Sequence, residues 1–160
     1  MNPLAALAGG FVGTLVITTL LQLATELRLT RVDIPFLLGT AFTEERDEAK
    51  AVGYAIYALA GVAFSVVYWA VFSALGQASW WLGLLFGLLH GLFLGAVVMN
   101  ILLPAVHPRM GSSSSAANDG SLIEPPGFMM LNYGAQTPAV SLVAHAAYGA
   151  IVGWFIAAAG

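Results

Sequence analysis

The chain has 160 residues, of which 59% are hydrophobic and 8% charged, with a net charge of -3. Thirteen charged side chains cannot cover a water-exposed surface on a chain this long, because soluble domains are nearer a quarter charged. Most of the surface must face lipid. The small net charge and the lack of a basic stripe give no nucleic-acid partner, and the absence of cysteine excludes disulfides, thiolate metal sites and cysteine nucleophiles.

The length fits one domain, read as a single integral membrane domain over 1–160. A membrane-spanning helix needs about 20 mostly apolar residues. The first such run extends from about Pro3 to Leu27 and has no Lys or Arg before it, which argues against a cleaved signal peptide. A loop over 28–50 follows and holds nine of the thirteen charged side chains. Within it, Glu44-Glu45-Arg46-Asp47-Glu48 reads as a solvated helix start, its acids opposing the positive end of the helix dipole, with Thr43 as a cap. The second run covers about 51–75, and Gly76 to Ser79 form a tight hairpin into the third, about 80–103. The loop over 104–136 contains the low-complexity tract Gly111–Gly120, which reads as flexible and solvent-exposed. The fourth run covers about 137–159. Backbone groups in lipid must bond internally, so all four runs are predicted helices of an all-α four-helix transmembrane bundle. Ile34–Phe42 and Phe128–Leu131 are too short to span and either lie along the interface or dip into the bundle.

Arg28, Arg31, Arg46 and Lys50 lie in the first loop and Arg109 in the third. The positive-inside rule places both long loops in the cytoplasm and both termini outside, in a bacterial inner membrane. Trp69, Trp80, Trp81 and Trp154 then form an aromatic belt at the outer face.

The chain carries traces of a duplicated hairpin. Gly9-Gly10-Phe11-Val12-Gly13 corresponds to Gly91-Leu92-Phe93-Leu94-Gly95, Thr18 to Asn100, Asp33-Ile34-Pro35 to Glu124-Pro125-Pro126, and Gly61 to Gly149. Two such hairpins would be parallel repeats about a pseudo-twofold axis along the membrane normal. The alternative is that these glycines serve only close helix packing.

Histidines buried in a membrane are costly and mark functional sites or interhelical hydrogen bonds. His90 and His145 are the cofactor-binding candidates, for haem or a metal. Measured from the loop ends, His90 lies roughly 20 Å deep and His145 roughly 12 Å, an offset that disfavours a shared small ion. His107, Glu124 and Asp33 form a candidate divalent-metal site at the loop face, where imidazole and carboxylate suit zinc, manganese or iron. Thr18, Gln22 and Glu26 share one helix face. With Asn100 they outline a polar path from mid-membrane toward the loops, or else a set of interhelical hydrogen bonds. No nucleophile motif, P-loop or dinucleotide fingerprint is present, and Ser112–Ser115 offer no catalytic-serine context.

The segments Val32-Asp33-Ile34-Pro35-Phe36-Leu37-Leu38-Gly39-Thr40, His90-Gly91, His107-Pro108-Arg109-Met110, Glu124-Pro125-Pro126-Gly127, Asn132-Tyr133-Gly134 and His145-Ala146-Ala147-Tyr148-Gly149 together resemble a group of uncharacterised bacterial four-helix membrane proteins. The resemblance spans nearly the whole chain. It implies fold and location and carries no activity. Two functions are therefore expected from the residues. One is a non-enzymatic accessory subunit or oligomeric carrier or channel, with lipid, further copies or a larger membrane complex as partners. The other is a membrane-embedded metal or haem protein of redox type using His90, His107 and His145.

Overall fold

A computed structural model describes residues 1–110 and 123–160. The Gly111–Gly120 tract and Ser112–Ser115 lie outside the described residues. Four helices are long and apolar enough to cross a membrane. They are α1 (Pro3–Glu26), α3 (Arg46–Leu75), α4 (Trp80–Val106) and α5 (Thr137–Ala158). A short helix, α2 (Ile34–Gly39), and a 3-10 segment, Phe128–Tyr133, occupy the two long loops. No strand occurs among the described residues. The chain is an all-α four-helix bundle with the architecture of an integral membrane protein.

Each helix starts where its sequence allows. Asn2 caps α1, with Pro3 in its first turn. Ser79 caps α4 through the amide of Leu82. The cap of α3 is Glu45, which accepts from Glu48 N–H at 2.7 Å, so α3 begins at Arg46 rather than near Ala51. The backbone amides around Glu48 hold the Glu45 carboxyl below its ordinary range. Thr43 is not the cap; its hydroxyl donates to the Glu48 carboxylate. Gly76, at φ 68°, ends α3 in the left-handed conformation that a side chain disfavours.

The second half of α4 winds as a π-helix over Leu94–Leu102. Pro104 has no N–H for the Asn100 carbonyl, and its ring crowds that carbonyl, which loosens the winding just before it. The wider turn re-aims the residues that follow.

Glycines set the helix spacing. A Cβ on Gly83 would lie 2.1 Å from the Gly149 carbonyl oxygen, and one on Gly87 would lie 2.2 Å from that of His145. Helices α4 and α5 thus touch backbone to backbone, as small residues permit in membranes. Gly9 and Gly13 seat Phe155 and Tyr148 of α5, while Gly10 and Gly61 join α1 to α3. Helices α3 and α4 meet differently, through the edges of Tyr68, Phe72 and Phe86.

This arrangement gives the predicted duplication no support. A pseudo-twofold would make the α1–α5 contact equivalent to the α3–α4 contact, yet one is glycine-mediated and the other aromatic. The paired acid-x-Pro motifs differ as well. Asp33 caps α2 through Phe36 N–H, whereas Glu124 faces Arg31 at 3.7 Å. The glycine likeness is met by packing alone.

Met1 accepts a hydrogen bond from the Trp69 indole, which puts the N-terminus at the end of the Gly76–Ser79 hairpin. That end is termed the hairpin face and the opposite one the loop face. At the loop face the two long loops are knitted together. Arg31 donates to Asn132 O and Tyr133 O, Asn132 donates to Pro125 O, and Tyr133 donates to Glu124 O. Burial and the Glu124 charge push the Tyr133 phenol up to about 12, so it stays a donor across the working pH range. The 3-10 segment dips inward: Met129 and Met130 are buried, and the Met129 sulfur packs on Gly95 of α4. Both methionines hold positive φ, 52° and 60°, a strained conformation for side-chain-bearing residues.

Candidate functional site

Two polar stripes at helical spacing face each other at the loop end of the bundle. On α1 the stripe is Thr18, Gln22 and Glu26. On the antiparallel α3 it is Arg46, Lys50, Tyr54 and Tyr57. The Gln22 amide donates to the Tyr54 hydroxyl and forms a rung between them. Asp33 and the start of α2 close the side. These groups line a vestibule of about 640 Å³, a size that suits a small ligand.

Four charged side chains border this space: Glu26, Asp33, Arg46 and Lys50. Among the described residues none forms an ion pair with another; the two ion pairs are Arg31 with Glu124 and Arg109 with Glu44. The Arg46 guanidinium lies 5.9 Å over the Phe36 ring, which holds its charge by the cation–π attraction. Two carboxylates and two cations therefore surround one cavity, in a chain with thirteen charges.

Of the residues in the expected polar path, Thr18, Gln22 and Glu26 line the vestibule. Asn100 lies in the π-helical stretch and does not line the vestibule. Sequence reasoning misses the α3 stripe because Arg46 reads as part of a solvated helix start and Lys50 as a basic residue of the first loop. Their spacing with Tyr54 and Tyr57 was the available signal.

Toward mid-membrane, Tyr57 lines both the vestibule and a second cavity of about 60 Å³. His90 of α4 and His145 of α5 border the small cavity with Thr14 and Tyr148. The two rings meet edge to face with centroids 5.2 Å apart. The expected depth offset is therefore wrong. It was counted from the loop ends, but α4 runs past the start of α5, and the inward 3-10 segment lets α5 begin deeper. Contacts of Gly87 and Gly91 with His145 fix the true register. His145 Nδ1 lies 2.7 Å from the Ser141 carbonyl. His90 Nδ1 lies 3.4 Å from the Tyr68 hydroxyl, and His90 Nε2 is buried without a partner. Haem does not fit here. The rings touch with no slot between them, and 60 Å³ is far below the size of a cofactor pocket.

The predicted metal set of His107, Glu124 and Asp33 is not assembled. No cluster of three His, Cys, Asp or Glu able to hold a metal occurs among the described residues. Asp33 caps α2 through one carboxylate oxygen and borders the vestibule, while Glu124 faces Arg31. Both His107 nitrogens are engaged: Nε2 lies 3.1 Å from the Leu37 carbonyl, and Nδ1 accepts from Arg109 N–H at 3.2 Å. The carbonyl requires a hydrogen on Nε2 and the amide a lone pair on Nδ1, so the ring is held neutral. Burial first, and the nearby Arg109 charge, lower its pKa, partly offset by the Leu37 bond. His107 is a clamp between α2 and the end of α4.

No protein-family model matches the chain, nor does any curated protein or solved structure. Fold and site together define a small integral membrane protein with a one-sided polar vestibule.

Proposed function

We propose that the chain is a small membrane carrier that takes a solute bearing both positive and negative charge into the vestibule from the loop face. The observation that carries this reading is the set of four charges, two of each sign, bordering one 640 Å³ cavity without pairing to each other. Such an arrangement matches an ammonium to Glu26 and Asp33 and a carboxylate or phosphate to Arg46 and Lys50.

The polar space ends at mid-membrane, and tight glycine contacts fill the hairpin half. A one-sided opening suits alternating access better than an open channel. Four short helices enclose little volume, so we take the transporting unit to be an oligomer or part of a larger complex. The basic residues of the loops favour a bacterial inner membrane with the loop face cytoplasmic, in keeping with the resemblance to bacterial four-helix membrane proteins.

The test is a thermal-stability screen of the detergent-purified protein against zwitterionic amino acids, phosphoethanolamine, simple monocarboxylates and simple amines. A bound zwitterion at 100 times its Kd stabilises by about 2.7 kcal/mol. The stabilisation should vanish in Glu26→Gln and in Lys50→Met. Equal response to singly charged compounds, or an effect unchanged in both variants, would refute the reading.

A further inference from the structure

The His90–His145 pair is not used by the vestibule reading and stands apart from it. Three observations converge on the pair. His90 Nε2 is the one buried side-chain nitrogen or oxygen without a partner among the described residues, and such a group calls for an explanation, commonly an unseen water or ion. The Ser141 carbonyl 2.7 Å from His145 Nδ1 only accepts, so Nδ1 carries the hydrogen and Nε2 keeps a free lone pair. Metal-ligating histidines are oriented in this way, by a carbonyl on the opposite nitrogen. Both rings border the same 60 Å³ cavity, which has room for an ion but not for an organic cofactor.

The donor set selects the ion. No carboxylate lines the cavity, so nothing there compensates a double charge in the low-dielectric interior. Two nitrogens also fall short of the three or four protein ligands that zinc takes. One turn along the same glycine face of α4 the next donor is a thioether: Gly91 packs on His145 and Gly95 on the Met129 sulfur. The strained backbone of Met129 and Met130 keeps these side chains turned inward. Neutral nitrogen and thioether sulfur are the ligands of soft monovalent cations.

We infer that His90 and His145 form a mid-membrane site for a soft monovalent metal ion, Cu(I), with the Met129 thioether one turn away on its loop-face side.

The test is titration of the detergent-purified full chain with Cu(I) under anaerobic reducing conditions, against a chromophoric Cu(I) chelator, and in parallel with Ag(I). One ion per chain is expected, with X-ray absorption reporting two imidazole nitrogens at the metal. His90→Gln and His145→Gln should each weaken binding at least about tenfold, while His107→Gln leaves it unchanged. Circular dichroism and elution volume confirm that each variant is folded; should His145→Gln fail to fold, His90→Gln, whose ring is less enclosed, decides alone. Three results would overturn the site: no Cu(I) or Ag(I) bound by the folded wild type, binding untouched by His90→Gln, or a preference for Zn²⁺ over Cu(I).

Discussion

Thr30 and Thr137 are 107 residues apart in sequence, yet their hydroxyl oxygens lie 2.7 Å apart in a buried contact. Thr30 Oγ1 also accepts from Val32 N–H at 3.1 Å, so it serves the turn after α1 and the first residue of α5 together. The pair fixes where α5 begins, and with it the height of His145 relative to α4. Thr137→Val keeps the shape and removes the hydroxyl, leaving Thr30 short of a partner. The expected loss is about 1–2 kcal/mol in denaturant unfolding, with Thr137→Ser recovering most of it.

Gly87→Ala would bring a Cβ to 2.2 Å from the His145 carbonyl oxygen, and a backbone atom cannot swing aside. Helices α4 and α5 must separate, at a cost of about 3 kcal/mol. Gly76→Ala is the contrast. Its Cβ meets nothing within 4 Å, and only the left-handed φ of 68° opposes it, which costs about 1 kcal/mol. Thermal unfolding in one detergent should rank the two in that order.

His107 makes the loop face sensitive to acid. Its folded-state pKa lies below the unfolded value of about 6.5, so the unfolded chain binds the proton more readily. The stability from this group is fully present above about pH 6.5 and is lost as pH falls toward the lower folded value. Protonation at Nδ1 removes the Arg109 N–H bond directly. The wild type should therefore lose more melting temperature between pH 7.5 and 5.5 than His107→Gln does, and the excess loss should appear as earlier proteolysis within the loops.

The spans were legible because lipid demands long apolar runs, and Pro3, Leu75, Trp80 and Thr137 mark helix ends as read. Heights were not. The sequence leaves open whether Phe128–Leu131 lies along the interface or dips inward, and without the dip against Gly95 the His90–His145 contact is invisible. The vestibule was half legible. Thr18, Gln22 and Glu26 stand out as polar residues in an apolar run, whereas Arg46 reads with the acidic residues beside it and Lys50 as a loop residue. His107, Glu124 and Asp33 are not brought together as a metal set, because sequence proximity to one membrane face does not specify partners: His107 bonds the Leu37 carbonyl, Glu124 faces Arg31 and Asp33 caps α2.

The vestibule opens at the loop face and closes toward mid-membrane. The chain has no cysteine, so single-cysteine variants carry no background. Thr18→Cys and Gln22→Cys lie in the vestibule, and Leu15→Cys lies on the same helix at a lipid-exposed position. Thr18 is about 12 Å along the helix from Glu26. In oriented vesicles a membrane-impermeant maleimide should label positions 18 and 22 from the loop face alone and leave position 15 unmodified. Labelling of 18 and 22 no faster than 15, or equal labelling from the hairpin face, would contradict the account.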